Sequence, residues 1–213
     1  MPEELGEIKK PSVDEFKVGR RLYFVPLLFF PKEPRADLLE RLNRYWDQAD
    51  AHVAGLEGKL GRVCKVYHEF VPVGGEAGAK TVEELNRGSH RIVKARLEKG
   101  AELQPMEDGE LLTEFMDWGR CLAVGLQNQK VVARVYEAYV DASRRRNSHI
   151  AKQIDETLKK DETGLLLMSE GHQVQFPTDI EVFYIAPPAL DEIKRWLRER
   201  EPKVQSQGEG PTS

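Results

Sequence analysis

The sequence predicts an α/β protein with a small, mostly parallel sheet of about four strands, covered by helices and carrying a helical insertion. Two observations predict it. Short apolar runs alternate with longer stretches of helical periodicity, in the order strand–helix–strand, helices, strand–strand–helix. The chain of 213 residues is 40% hydrophobic and 32% charged, a globular composition on a chain long enough to bury a sizeable core. Connections that return the chain to parallel strands favour helices packed on the sheet.

Residues 1–20 are polar and read as a lead-in to a single α/β domain over 21–200. Leu22 to Phe30 is an apolar run that reads as the first strand, stopped by Pro31 and Pro34. Pro26 lacks a backbone donor and so predicts an edge strand or a bulge. Ala36 to Leu60 reads as a helix, with Leu38, Leu39, Leu42, Tyr45, Trp46, Ala49, Val53, Leu56 and Leu60 as its apolar positions at helical spacing and Gly61 at its end. Arg62 to Val71 reads as the second strand. Gly74 to Gly78 reads as a flexible loop, and Thr81-Val82-Glu83-Glu84 has the form of a capping box. The insertion, about residues 80–125, is punctuated by Gly88, Gly100, Pro105 and Gly109 and is expected to be helical in pieces. Asn128 is placed to cap a long helix reaching about Lys160. Gly164 to Met168 and Ile180 to Ile185 supply two further strands. Pro187-Pro188 opens a last helix, and the Gly-, Gln- and Ser-rich tail 201–213 reads as disordered.

Charge and cysteine usage narrow the function. The formal net charge is −4, which argues against generic nucleic-acid binding, since phosphate contacts need concentrated positive charge. Cys64 and Cys121 form neither a C-x-x-C pair nor a zinc spacing and read as reduced, packed thiols. The acidic stretch Met1 to Lys10 is not a signal peptide, and Leu22 to Phe30 is too short to span a bilayer. A cytoplasmic protein without a membrane segment is expected.

The long helix carries the strongest site signal. Its apolar stripe comprises Val132, Val135, Tyr136, Tyr139, Ile150, Ile154 and Leu158; at helical spacing Arg146 and Ser143 fall inside that stripe, with Asn147 at its margin. One arginine of Arg144-Arg145-Arg146 therefore faces inward. The following strand, Leu165 to Glu170, rises about 17 Å. That matches about 11 helical residues, so counting back from Leu158 sets Asn147 level with the strand's carboxyl end. Arg146, Asn147, Glu170 and His172 are thus expected to converge at the carboxyl edge of the sheet, where parallel sheets bind ligands. Such a cluster suits a small anionic ligand, a protein partner, or a water held for hydrolysis. The bland alternative is an Arg146–Glu170 ion pair tying helix to strand.

His68 and Glu69 end the second strand and, with His172, are metal-ligand types expected in the same region. No H-x-x-x-H or H-x-H spacing accompanies them, so no metal is assigned, and no motif implies a cofactor. Asn128 to Lys160 holds 8 basic and 4 acidic residues, a basic stripe that offers the one route to RNA or an acidic partner. Tyr136 and Tyr139 are expected in the core. Gly74 to Gly78 has neither a Walker nor a dinucleotide pattern, and no G-x-S-x-G elbow is present.

The pattern Arg146-Asn147-x-x-Ile150-Ala151-x-x-Ile154-x-x-Thr157-Leu158, continued by Glu162, Gly164-Leu165-Leu166, Met168, His172 and Phe176-Pro177-x-Asp179-Ile180-x-Val182, covers about a quarter of the chain. It resembles a group of uncharacterised bacterial proteins whose C-terminal halves look like bacterial relatives of the archaeal and eukaryotic peptide-release factors. The resemblance implies an α/β fold and an association with ribosomes. Release factors carry a G-G-Q loop; the nearest match is Gly74-Gly75-Glu76, with glutamate in place of glutamine. The arginine-bearing helix and the strand ending before His172 are also similar to those of pheromone-shutdown-type membrane proteins, for which metallohydrolase activity is proposed. The expectation is a binding or regulatory protein with one polar site. A hydrolase using the same cluster, with or without a metal, and a translation-associated module are the alternatives.

Overall fold

The computed structural model describes residues 19–30 and 34–200. The predicted lead-in, apart from its last two residues, and the predicted tail from residue 201 lie outside the described residues. The elements are β1 (Arg20–Pro26), α1 (Ala36–Leu60), β2 (Val63–His68), α2 (Gly75–Leu85), α3 (Arg87–Leu97), β3 (Glu102–Leu103), α4 (Gly109–Ala123), α5 (Gln129–Thr157), β4 (Thr163–Met168), β5 (Ile180–Tyr184) and α6 (Pro188–Arg200). The strands form one sheet in the order β3-β2-β4-β1-β5, and every neighbouring pair is parallel. The α/β class with a parallel sheet and covering helices is as predicted.

Strand alternation sorts the core into two faces. Tyr23, Val25, Leu165 and Leu167 pack with residues of α1, α3 and α6. Leu22, Phe24, Leu166 and Met168 pack with Ile150, Ile154 and Leu158 at the end of α5, and with Val174 from the segment after β4. The second face therefore depends on one helix. The buried residues of α5 are Ala142, Arg146, Ile150 and Ile154, four residues apart and so on one side. The first three turns of α5 have no buried residue. They pair with α4 instead, through a Phe115–Tyr139 ring stack at 5.2 Å, and an Arg145–Glu114 ion pair at 2.6 Å joins the same two helices farther along. The α4–α5 hairpin thus overhangs the carboxyl edge of the sheet.

Several local expectations change. Among the described residues the sheet has five strands, because β3 is a two-residue strand inside the stretch read as a helical insertion. It is too short to carry an apolar pattern. Pro26 lies on β1, which is an interior strand flanked by β4 and β5. Arg21 and Leu27 donate to the β4 side, so even-numbered donors of β1 face β5. β5 ends at Tyr184, opposite Phe24, and the missing Pro26 donor falls past that end. The glycine-rich segment is the start of α2 rather than a loop, with Gly74 at its cap. Thr81 lies inside α2 and its hydroxyl donates to the Ala77 carbonyl, so no capping box forms. The Asn128 cap is as expected: its side-chain oxygen accepts from the Lys130 and Val131 amides. Gly61 closes α1 at φ 138°, a conformation that favours glycine. Among the described residues no helix is long and apolar enough to cross a membrane.

The division of α5 predicts unequal sensitivity along one helix. Ile154→Ala, at a fully buried site, is expected to lower stability by about 2–5 kcal/mol. Val131→Ala on the exposed half should stay within about 0.5 kcal/mol. Urea denaturation of the two variants checks this; equal losses would mean that the overhang is as tightly packed as the sheet face.

Candidate functional site

Arg146 faces inward and is only 5% exposed. Its guanidinium is held by two carboxylates. Nε donates to Glu107 Oε2 at 2.9 Å and Nη2 donates to Glu107 Oε1, a two-point pairing. Nη2 also donates to Glu69 Oε1 at 3.2 Å. The rings of Phe70 and Phe115 flank the guanidinium, 5.1 and 4.8 Å from its central carbon, so cation–π attraction adds to the pairing. Glu107 accepts the Phe70 amide at 3.1 Å, and Phe70 takes a left-handed φ of 65°, costly for a bulky residue. Glu69 Oε2 accepts the Ser169 amide at 2.8 Å and the Ser169 hydroxyl. One clamp therefore joins the ends of β2 and β4, the loop after β3, and the middle of α5.

Above this clamp an open cleft of about 790 Å³ lies between the overhanging α5 and the segment after β4. Its walls include Tyr136, Tyr139, Ser143 and Asn147 on one side, and Gly171, His172, Gln173 and Gln175 on the other. Its position has a topological reason. β2 and β4 are neighbours, yet the chain leaves β2 toward the α1–α3 face and leaves β4 toward the α5 face. Diverging exits open a crevice at the carboxyl ends of adjacent parallel strands.

The geometry distinguishes the two strand-edge histidines. His172 packs edge-on against Phe24 and Phe176, at 5.1 and 5.7 Å. Its Nδ1 accepts the Val174 amide at 3.2 Å. Burial lowers its pKa, so the ring is neutral near pH 7. A neutral ring that accepts at Nδ1 carries its proton on Nε2. His172 therefore offers one N–H donor. His68 is fully buried and uses both nitrogens, Nδ1 with the Glu69 carbonyl at 2.7 Å and Nε2 with the Ser89 hydroxyl at 2.9 Å. Burial pushes its pKa down to about 4.

Arg146, Asn147 and His172 line one cleft, at the level predicted from helix and strand rise. Glu170 does not meet Arg146. It accepts from Tyr184 Oη and from Lys194 Nζ at 2.7 Å, outside the cleft lining. The expected Arg146–Glu170 pair is replaced by Arg146 with Glu107 and Glu69. Glu107 gave no sequence signal: it lies 39 positions from Arg146 in a loop bracketed by Pro105 and Asp108. His68 and Glu69 do not form one ligand set. Successive strand residues point to opposite faces, which sends His68 to Ser89 of α3 and Glu69 to Arg146 of α5. Among the described residues no group of three His, Cys, Asp or Glu side chains is placed to hold a metal. Tyr136 is 58% exposed rather than core. Part of the basic stripe is paired, with Arg144 and Arg145 both on Asp141.

The floor of the cleft is net negative. Two carboxylates against one guanidinium leave a formal −1, which works against the small anionic ligand expected from an inward arginine.

The chain matches no protein-family model, no curated protein and no solved structure.

His68 predicts a pH dependence. The unfolded chain takes up a proton near pH 6.5 and the folded one only near 4. Stability is therefore intact above pH 6.5 and is lost as pH falls toward 4, by about 3 kcal/mol over the window. His68→Gln should flatten that slope in urea titrations at stepped pH. An unchanged slope would mean that another group carries it.

Proposed function

We propose that the protein is a cytoplasmic binding or regulatory protein whose ligand occupies the cleft between α5 and the segment 169–175. One observation carries this reading. The charged floor is paired within itself, while the walls above it, apart from Arg144, which is paired with Asp141, present neutral donors and acceptors to an open space. A floor whose carboxylates are already paired serves as a rigid platform, and recognition falls mainly to the side chains of the walls.

Hydrolysis has less support. The Ser169 hydroxyl donates to Glu69, whose two oxygens are already engaged by Arg146 and the Ser169 amide, so Glu69 has no oxygen turned to a water in the cleft. His172 gives its Nδ1 to a backbone amide, and no described contact joins it to the Ser169 hydroxyl. Nucleophile activation needs those two in hydrogen-bond reach. A translation-associated role through the basic helix is weakened by the pairing of Arg144 and Arg145 with Asp141 and Glu114.

Amide shift mapping by NMR with a library of small polar fragments tests the assignment. Hits are expected to move the amides of Asn147, Gly171 and Gln173. Ser143→Trp, which fills the cleft from its α5 wall, should weaken those hits by about tenfold or more. Hits that gather on another surface, or that ignore Ser143→Trp, contradict the proposal.

A further inference from the structure

The side chains of the cleft also select a class of ligand, an inference that rests on the cleft being the ligand site. Three features bear on that class. First, the floor and one wall offer hydrogen-bond donors. Arg146 Nη1 makes no hydrogen bond to any described residue and retains solvent contact. His172 offers its Nε2–H. Two such donors suit carbonyl or ring-nitrogen acceptors. The formal −1 of Glu69, Glu107 and Arg146 disfavours a phosphate or carboxylate against the floor, and Arg144, the cation on the wall, is already paired with Asp141.

Second, the walls carry carboxamides at Asn147, Gln173 and Gln175. Each carboxamide has a donor beside an acceptor, the pattern that reads the edge of a nucleobase. Third, an aromatic surface is present. Tyr136 is 58% exposed, and Tyr139 is stacked on Phe115 beside it. An exposed ring next to neutral hydrogen-bonding groups accepts a planar heterocycle by stacking. A polyol is a poorer match, because its many hydroxyl donors seek ionised acceptors. Glu69 is already engaged at both oxygens.

We propose that the cleft binds an uncharged, carbonyl-bearing planar heterocycle of the nucleoside class, and discriminates against the phosphorylated form. Tyr136 supplies the stacking face, His172 and Arg146 donate to the ring, and Asn147 reads its edge.

Calorimetric titration with guanosine, cytidine and uridine, each beside its 5′-monophosphate, tests this. At least one nucleoside is expected to bind, and its monophosphate to bind about tenfold or more weakly. Tyr136→Ala should weaken the nucleoside by about tenfold and leave the melting temperature unchanged. His172→Phe, which keeps the ring packing and removes the N–H, should weaken binding as well. Monophosphates that bind equally or more tightly overturn the proposal. So does the absence of any nucleoside binding while polar fragments still enter the cleft; that result leaves the site standing and rejects the ligand class. If neither fragments nor nucleosides perturb the cleft, the site assignment itself falls.

Discussion

The pairing of Arg146 with Glu107 and Glu69 is the constraint on which the site depends. It draws groups from four parts of the chain to one point: the end of β2, the loop after β3, the middle of α5 and, through Ser169, the end of β4. A buried ion pair is weak evidence of net stability, because desolvation of the charges offsets much of their attraction. Its consequence is positional. A guanidinium held at two edges by carboxylates and at its faces by Phe70 and Phe115 has little freedom, so α5 is fixed in rotation and in height over the sheet.

That fixing gives α5 two roles. Toward its carboxyl end, Ile150 and Ile154 close the second face of the sheet, a task no other helix among the described residues performs. Beyond the sheet edge the same side of the helix has nothing beneath it, and Tyr136, Tyr139 and Ser143 become the wall of a cleft. The left-handed Phe70 belongs to the same arrangement. Its amide reaches Glu107 and its ring reaches Arg146 only because the turn after β2 takes an unfavourable conformation. Strain of this kind persists where surrounding contacts over-determine it.

The frame is legible in the sequence because periodicity is a local property. The stripe of α5 identifies Arg146 as inward, and simple rise arithmetic brings Asn147 level with the end of β4. The partner of Arg146 is not legible. Glu170 is nearest by register, but a carboxylate on the loop after β4 has Lys194 and Tyr184 to satisfy it. Glu107 is set by the path of the chain after a two-residue strand, which no pattern announces. The contrast between His68 and Glu69 is accessible in principle, since alternation along β2 sends neighbours to opposite faces. Tyr136 continues the apolar stripe faithfully, yet periodicity carries no information on where the sheet ends beneath a helix.

A double-mutant cycle on Arg146 and Glu107 tests the clamp most directly, with Arg146→Met, Glu107→Gln and the pair compared by urea denaturation at pH 7. Each single variant leaves buried charge without its partner and should lose about 3–5 kcal/mol. The double variant should lose less than the sum of the singles, by about 2 kcal/mol. Losses that add to within about 0.5 kcal/mol would show two independent sites, and the clamp would then not be what holds α5 over the sheet.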